Sequence, residues 1–254
     1  MFQPSKRWIF ALGASAAFAA LIAGASPAGY AAVVAEAEPN NARITATPIP
    51  LSAFTLPAPT NVFGALPTAT LTGSISNDDD VDFFSFAGVA GEQVYFDVDN
   101  SPRTLDTFLS LFSGNGTLLA LADDSERDPG SASGSDAFLG VFTLPTNDTY
   151  YLAVSEVANF PRVALFPPPG ATFSPLTRPD GLGGGEGGYA MSGATPGEDR
   201  FAGGGFGTGA YTVQFSRTAS VIPEPSSMAL MSLGMAGMAA SLRRRRKARH
   251  CAER

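Results

Sequence analysis

Between Val33 and Ser220 the chain contains no cysteine, no histidine and no lysine; its sole cysteine, Cys251, and sole histidine, His250, stand at the C-terminal end. Each absence excludes a class of chemistry. Without cysteine pairs there is no disulfide framework, so packing or a bound metal must hold this body together. Without histidine there is no Ser-His-Asp or Cys-His nucleophile pair and no His-ligated zinc hydrolase site. Lysine bases are missing as well. What remains open is carboxylate chemistry, such as that of a two-carboxylate glycosidase. Positive charge is scarce too. The body has seven basic residues (Arg43, Arg103, Arg127, Arg162, Arg178, Arg200 and Arg217) against 21 carboxylates, so its net charge is near −14, twice the −7 of the whole chain. Such a body repels nucleic acid and anionic lipid and suits divalent cations.

Long hydrophobic runs are confined to the two ends. Lys6-Arg7 precede an apolar segment from Trp8 to Ala25, and small residues stand at its end and beyond it, Ala23-Gly24-Ala25 and Gly29-Tyr30-Ala31. This reads as a secretory signal peptide over residues 1–32, with an N-terminal signal helix and cleavage between Ala25 and Ala35. An uncleaved anchor is the alternative. The other end reads Pro223-Glu224-Pro225, then an uncharged, proline-free run from Ser226 to Leu242, then Arg243-Arg244-Arg245-Arg246-Lys247. The prolines keep the first segment extended. The apolar run would make a transmembrane helix of about 25 Å, just short of a ~30 Å hydrocarbon core. The arginines would stay on the cytoplasmic side and the body would lie across the inner membrane.

The order of these parts over residues 221–254 resembles the PEP-CTERM sorting signal of Gram-negative, exopolysaccharide-producing bacteria. The resemblance implies that Pro223, Glu224 and Pro225 are read by an exosortase, a membrane-embedded transpeptidase-like enzyme. The tail is then cut and the body is left at the cell surface or outside the cell. An ordinary C-terminal anchor remains the alternative.

Within the body, period-two alternation is frequent and helical periodicity is not. Val94, Phe96 and Val98 alternate with Gln93, Tyr95, Asp97 and Asp99; Phe138 to Leu144, Tyr150 to Val154 and Tyr211 to Phe215 alternate likewise. Phe108–Phe112 and Thr117–Leu121 flank Ser113-Gly114-Asn115-Gly116, a hairpin turn. Asn115 and Asn147, each at the head of a glycosylation sequon, read as turn residues in a bacterial chain. Short strands with polar turns at this spacing predict an all-β fold, a jelly-roll-like antiparallel β-sandwich over residues 33–220. Residues 161–209, with Pro167-Pro168-Pro169 and two glycine clusters, are expected to form a long irregular Gly/Pro-rich insertion. Phe173, Tyr189, Phe201 and Phe206 are its candidate anchors or ligand contacts. A second irregular stretch is expected from Pro48 to Pro67.

Asp78, Asp79, Asp80 and Asp82 crowd four carboxylates before the strand Phe83–Phe86. They repel one another unless a cation lies among them, and hard oxygen ligands suit calcium. A solvated acidic turn is the alternative. Asp97, Asp99, Asp106, Asp123, Asp124, Glu126 and Asp128 form a second acidic population, read as a solvated face or as another cation site.

The body resembles the bacterial pre-peptidase C-terminal domain, a β-sandwich appended to secreted proteases. The carrying motifs, in order, are Glu36-Ala37-Glu38-Pro39-Asn40-Asn41, Gly73-Ser74, Asp82-Phe83-Phe84-Ser85-Phe86, Leu105-Asp106-Thr107-Phe108, Ala122-Asp123-Asp124, Tyr150-Tyr151-Leu152-Ala153-Val154 and Tyr211-Thr212-Val213. In the similar collagen-binding domains of clostridial collagenases, calcium joins the N-terminal acidic segment to the loop before the Asp-Phe strand. The resemblance therefore implies a calcium site of Glu36, Glu38, Asn40, Asn41, Ser74, Asp79 and Asp82, with Asp78 or Asp80 as substitutes for Asp79. The function expected is a calcium-stabilised binding or scaffolding module without catalysis, with exopolysaccharide or a surface protein as partner. A carboxylate-dependent glycan-active enzyme is the alternative.

Overall fold

The structure, a computed structural model, describes residues 33–56, 66–99, 101–125, 130–131, 134–178, 188–197, 199–205 and 207–218. The expected signal helix, Glu126, Asp128, Phe206, the Pro-Glu-Pro motif and the C-terminal helix lie outside these residues. Among the described residues, no helix is long and apolar enough to cross a membrane.

Alternating sequence becomes strand almost everywhere it was expected. The strands are β1 (Val33–Ala35), β2 (Thr47–Pro48), β3 (Thr68–Ile75), β4 (Val81–Gly88), β5 (Gln93–Asp99), β6 (Thr107–Phe112), β7 (Leu118–Ala122), β8 (Phe138–Thr143), β9 (Asp148–Glu156), β10 (Thr172–Pro175), β11 (Tyr189–Ser192) and β12 (Gly209–Arg217). One sheet has the order β1-β3-β12-β5-β8 and the other β10-β11-β7-β6-β9-β4-β2. Strands β3 to β9 and β12 build two four-stranded halves, β3-β12-β5-β8 and β4-β9-β6-β7, a jelly-roll-like order. Pairing is antiparallel except at two edges, where β1 runs parallel to β3 and β2 parallel to β4.

The core lies between the sheets. Phe84 and Phe86 of β4, Phe96 and Val98 of β5, Leu109 and Leu111 of β6, Leu152 and Val154 of β9, and Val213 and Phe215 of β12 all point into it and are buried. Phe215 stacks against Phe96 with centroids 4.4 Å apart and meets Phe86 edge-on at 4.7 Å. The other ends of β5 and β12 are tied by Glu92 and Arg217, whose guanidinium donates from Nε and Nη2 to the two carboxylate oxygens at 2.5 Å each.

Two expectations are corrected. The insertion is not wholly irregular. It holds a one-turn helix, α1 (Arg162–Leu165), and the strands β10 and β11, which extend the seven-stranded sheet beyond β7. Glycine and proline content hid them because four-residue strands need few side chains once a neighbouring edge supplies the hydrogen bonds. The insertion also covers the outer face of that sheet: Phe201 packs on Phe83 (5.8 Å) and Phe112 (6.3 Å), and Val163 and Met191 join them. Phe201 is thus an anchor, whereas Phe173 and Tyr189 remain partly exposed.

The second correction concerns Asp97 and Asp99. They alternate outward on β5, as polar residues of a solvated face would, yet both are buried. The outer face of the five-stranded sheet is covered where β5 meets β8. The Arg178 guanidinium lies 4.1 Å over Phe138, the residue opposite Asp97. Asn115 closes its turn, its Oδ1 accepting from Thr117 N at 3.1 Å, whereas Asn147 Oδ1 reaches a neighbouring loop and accepts from Ala90 N at 2.8 Å.

Candidate metal centre

The site forms where three parts of the chain meet at the edge of the core. The first is the N-terminal strap. After β1, Glu36 N donates to Thr72 O at 2.9 Å, which keeps the strap against β3. Asn40 is fully buried, its carbonyl accepting from Phe83 N at 3.1 Å, which fixes the strap to β4. The second part is Gly73-Ser74 on β3. Ser74 N donates to Glu36 Oε1 at 2.9 Å. Gly73 must be glycine, because a Cβ there would collide with the Tyr211 hydroxyl and lie 2.6 Å from Glu36 Oε2. The third part is Asp82, the first inward-facing residue of β4, fully buried.

Carboxylate oxygens of Glu36, Glu38 and Asp82 lie within 4.8 Å of one another. Asp82 Oδ2 accepts a 2.6 Å hydrogen bond from the Tyr211 hydroxyl, so the opposite sheet also holds the site. Glu36 Oε2 is buried, with no hydrogen-bond donor among the described residues. Burial pushes the Asp82 carboxyl up to about 9; a hydrogen bond shared with Glu36 and the negative charges of Glu36 and Asp80 push the same way, and the Tyr211 hydroxyl pulls against them. Both charges acting on it are negative. A buried carboxylate in that position takes up a proton or a cation.

Asn40 faces the same carboxylates, its side-chain amide nitrogen donating to Asp82 Oδ1 at 3.1 Å and to Glu38 Oε2 at 3.0 Å.

The residues expected at the site therefore separate. Glu36, Glu38, Asn40 and Asp82 come together. Ser74 contributes its backbone N–H. Asn41 is exposed and Asp79 stands outside the cluster on an exposed turn, its N–H closing onto Asn77 Oδ1 at 3.1 Å. Asp80 is buried and closes the same turn, its Oδ2 accepting from Ser76 N at 2.6 Å. The acidic run is thus divided: Asp82 enters the site, Asp80 locks the turn, and Asp78 and Asp79 face solvent. Tyr211 and the space demanded at Gly73 were not foreseen. Tyr211 carried a signal, as a hydroxyl on the inward face of a core strand.

Elsewhere, carboxylate oxygens of Asp106, Asp123 and Asp124 also lie within 4.8 Å of one another. Asp106 and Asp123 are each raised to about 6, first by burial and then by the neighbouring carboxylates.

Residues 80–156 match the family model of the bacterial pre-peptidase C-terminal domain, and residues 221–246 match the PEP-CTERM protein-sorting motif. This one chain carries both. The pre-peptidase C-terminal match begins inside the acid turn, so it includes Asp82 but not the strap with Glu36, Glu38 and Asn40, nor Tyr211. A probable subtilase-type serine protease of Deinococcus radiodurans is 41% identical over 80 residues, which are 30% of this chain and 10% of that protein. The chain thus spans about a tenth of that relative's length. Among solved structures, the pre-peptidase C-terminal domain of a Bacillus anthracis collagenase aligns at 13% identity and a TM-score of 0.30, covering 59% of this chain and 89% of that one. The Salmonella Typhimurium protein PliG, a periplasmic inhibitor of g-type lysozyme, aligns at 16% identity and a TM-score of 0.30, covering 61% and 90%. The PEP-CTERM motif implies export and a surface or extracellular location, and it is consistent with exosortase processing.

Proposed function

We propose that the protein is an exported, calcium-stabilised β-sandwich module with a binding or scaffolding role at the cell surface or in the extracellular matrix. The PEP-CTERM tail delivers it, and an exosortase reading Pro223, Glu224 and Pro225 processes it. Exopolysaccharide or another surface protein is its partner. The observation that carries the calcium reading is the fully buried Asp82 carboxylate facing Glu36 and Glu38, with no positive charge from the described residues acting on it. Glu36, Glu38 and Asp82 supply hard oxygen ligands of the kind calcium takes, and the Asn40 amide would turn its oxygen to the ion to join them. The ion would neutralise the cluster and clip the strap onto both sheets. Without it the strap is held by the backbone bonds of Glu36 and Asn40, by Ser74 N on Glu36 Oε1, by Ala37 N on Thr47 Oγ1 and by short parallel pairing.

The glycan-active alternative has one observation in its favour: Asp123 lines an apolar cavity and its carboxyl is raised. Acid–base pairs on glycosides need two carboxyl groups whose affinities for protons are pushed apart. Here Asp106 and Asp123 are raised alike, to about 6. We therefore favour the non-catalytic role.

The test is a calcium titration of residues 33–220, followed by thermal unfolding with and without chelator. Binding that raises Tm, and that Asp82→Ala abolishes, supports the reading. No binding and no shift would reduce the cluster to a protonated structural knot.

A further inference from the structure

The outer face of the seven-stranded sheet carries a groove that the sandwich core does not use. Phe108 of β6 and Leu121 of β7 form its floor, and Phe160, Leu165 and Phe173 its walls, around a cavity of about 320 Å³. That is the lower end of the ~300–1,000 Å³ of small-ligand clefts, so it suits one or two side chains. The walls are open: Leu165 is 46% exposed and Phe173 39%. Solitary exposed apolar residues are ordinary, but exposed apolar walls around one cavity mark an interaction surface.

One end of the groove is acidic. Asp123 lines the cavity, with oxygens of Asp106 and Asp124 within 4.8 Å of one another and of its own, and among the described residues no arginine lines it. Glu156 adds a further negative charge beside Asp106 and Asp123. A cation is the complement of this end and an apolar group the complement of the rest. A sugar fits poorly, since Asp123 is the only polar side chain in the lining among the described residues and most hydroxyls would be left without partners. The sheet edge adds a third feature. β10 is the outermost strand, all four of its residues are exposed, and Phe173 belongs to it. Its outer edge offers backbone groups to an extended segment.

We propose that this groove docks an extended segment of a partner protein in which an aromatic or aliphatic side chain stands next to a lysine or arginine. The apolar side chain fills the cavity and the cation meets Asp123 and Asp124. The proposal names a partner class for the binding role above and rests on that role. It does not depend on calcium, because Asp82 faces the inner side of the sheet and the groove lies on the outer side.

The test uses the full-length protein in zwitterionic nanodiscs, with empty nanodiscs as blank. The probe is a fluorescent octapeptide alternating phenylalanine and lysine, read by anisotropy beside phenylalanine–glutamate and serine–lysine counterparts. The phenylalanine–lysine peptide should bind, and both counterparts at least about tenfold more weakly. Asp123→Asn should weaken it about two- to fivefold, the range of an exposed ion pair, and Leu165→Gln at least about fivefold, the loss of a partly buried leucine contact. Both side chains are solvent-accessible, so unchanged melting of the variants is expected and is checked by circular dichroism. Asp78→Asn removes an exposed charge elsewhere and should change nothing. Equal binding of the glutamate peptide, an equal loss in Asp78→Asn, no loss in Leu165→Gln, or binding of polysaccharide but of no peptide would each overturn the proposal. Peptide binding that persists in chelator, without any calcium effect on melting, would uphold the groove while refuting the calcium reading.

Discussion

In chelator, the body should lose stability as pH rises above neutrality, and calcium should abolish that loss. The folded Asp82 carboxyl holds its proton up to about 9, against an ordinary value of 3.8. The folded state therefore binds one more proton than the unfolded chain across this window. Stability is then greatest at the acid side and falls with rising pH by about 1.4 kcal/mol per unit. The cleanest range is pH 7 to 8.5, because Asp106 and Asp123, raised only to about 6, have largely titrated below it. The expected loss there is about 2 kcal/mol. The loss ends early if the strap detaches first, since Asp82 then regains water. With saturating calcium the folded Asp82 is ionised, as it is in the unfolded chain, and the slope disappears. The same linkage means that each bound ion displaces about one proton, so apparent affinity rises up to about tenfold per pH unit. Urea unfolding at pH 7, 7.75 and 8.5, with chelator and with calcium, reads the slopes. Calorimetry in buffers of different ionisation enthalpy reads the proton. Asp82→Asn should remove both the slope and the calcium response. A metal-free stability that is flat or rises from pH 7 to 8.5, or calcium binding without proton release, would refute the reasoning.

Other perturbations probe separate parts of the fold. Gly73→Ala should push Tyr211 and Glu36 apart and cost calcium affinity at least about tenfold, by calorimetry, with the sheet signal in circular dichroism retained. Arg217→Ala leaves the buried Glu92 carboxylate alone and should cost about 3–5 kcal/mol in urea unfolding, whereas the paired change Glu92→Leu with Arg217→Met should cost far less. Phe201→Ala frees the insertion from Phe83 and Phe112 and should speed proteolysis within residues 161–209 well before global unfolding, as read by timed digestion and mass spectrometry.

Much of the architecture was legible because its signals are local. The alternation in Gln93–Asp99, Tyr150–Val154 and Tyr211–Phe215 fixes strands, and Ser113-Gly114-Asn115-Gly116 fixes a hairpin in which Gly116 takes a positive φ. β10 and β11 were not legible, since their pairing is supplied by the β7 edge rather than by their own residues. Of the candidate ligands, Glu36, Glu38, Asn40 and Asp82 meet, because the strap runs beside β3 and its Asn40 carbonyl binds Phe83. Asp79 lies on the exposed turn before β4 and faces solvent instead.

By itself, the sequence determined the chemistry available: no histidine, lysine or cysteine in the body, an excess of carboxylates, and a tail whose order of motif, apolar run and arginines is a linear signal. Only the tertiary structure decided which carboxylates act together. Glu36 and Asp82 are far apart in the chain, and their repulsion exists because two sheets and a strap exclude water around them and set Tyr211 against Asp82. Asp78 and Asp82 are the same residue type a few positions apart, yet one faces solvent and the other is buried. The pleat, the register and the closing of the sandwich make that difference, and none of them is a property of a residue alone.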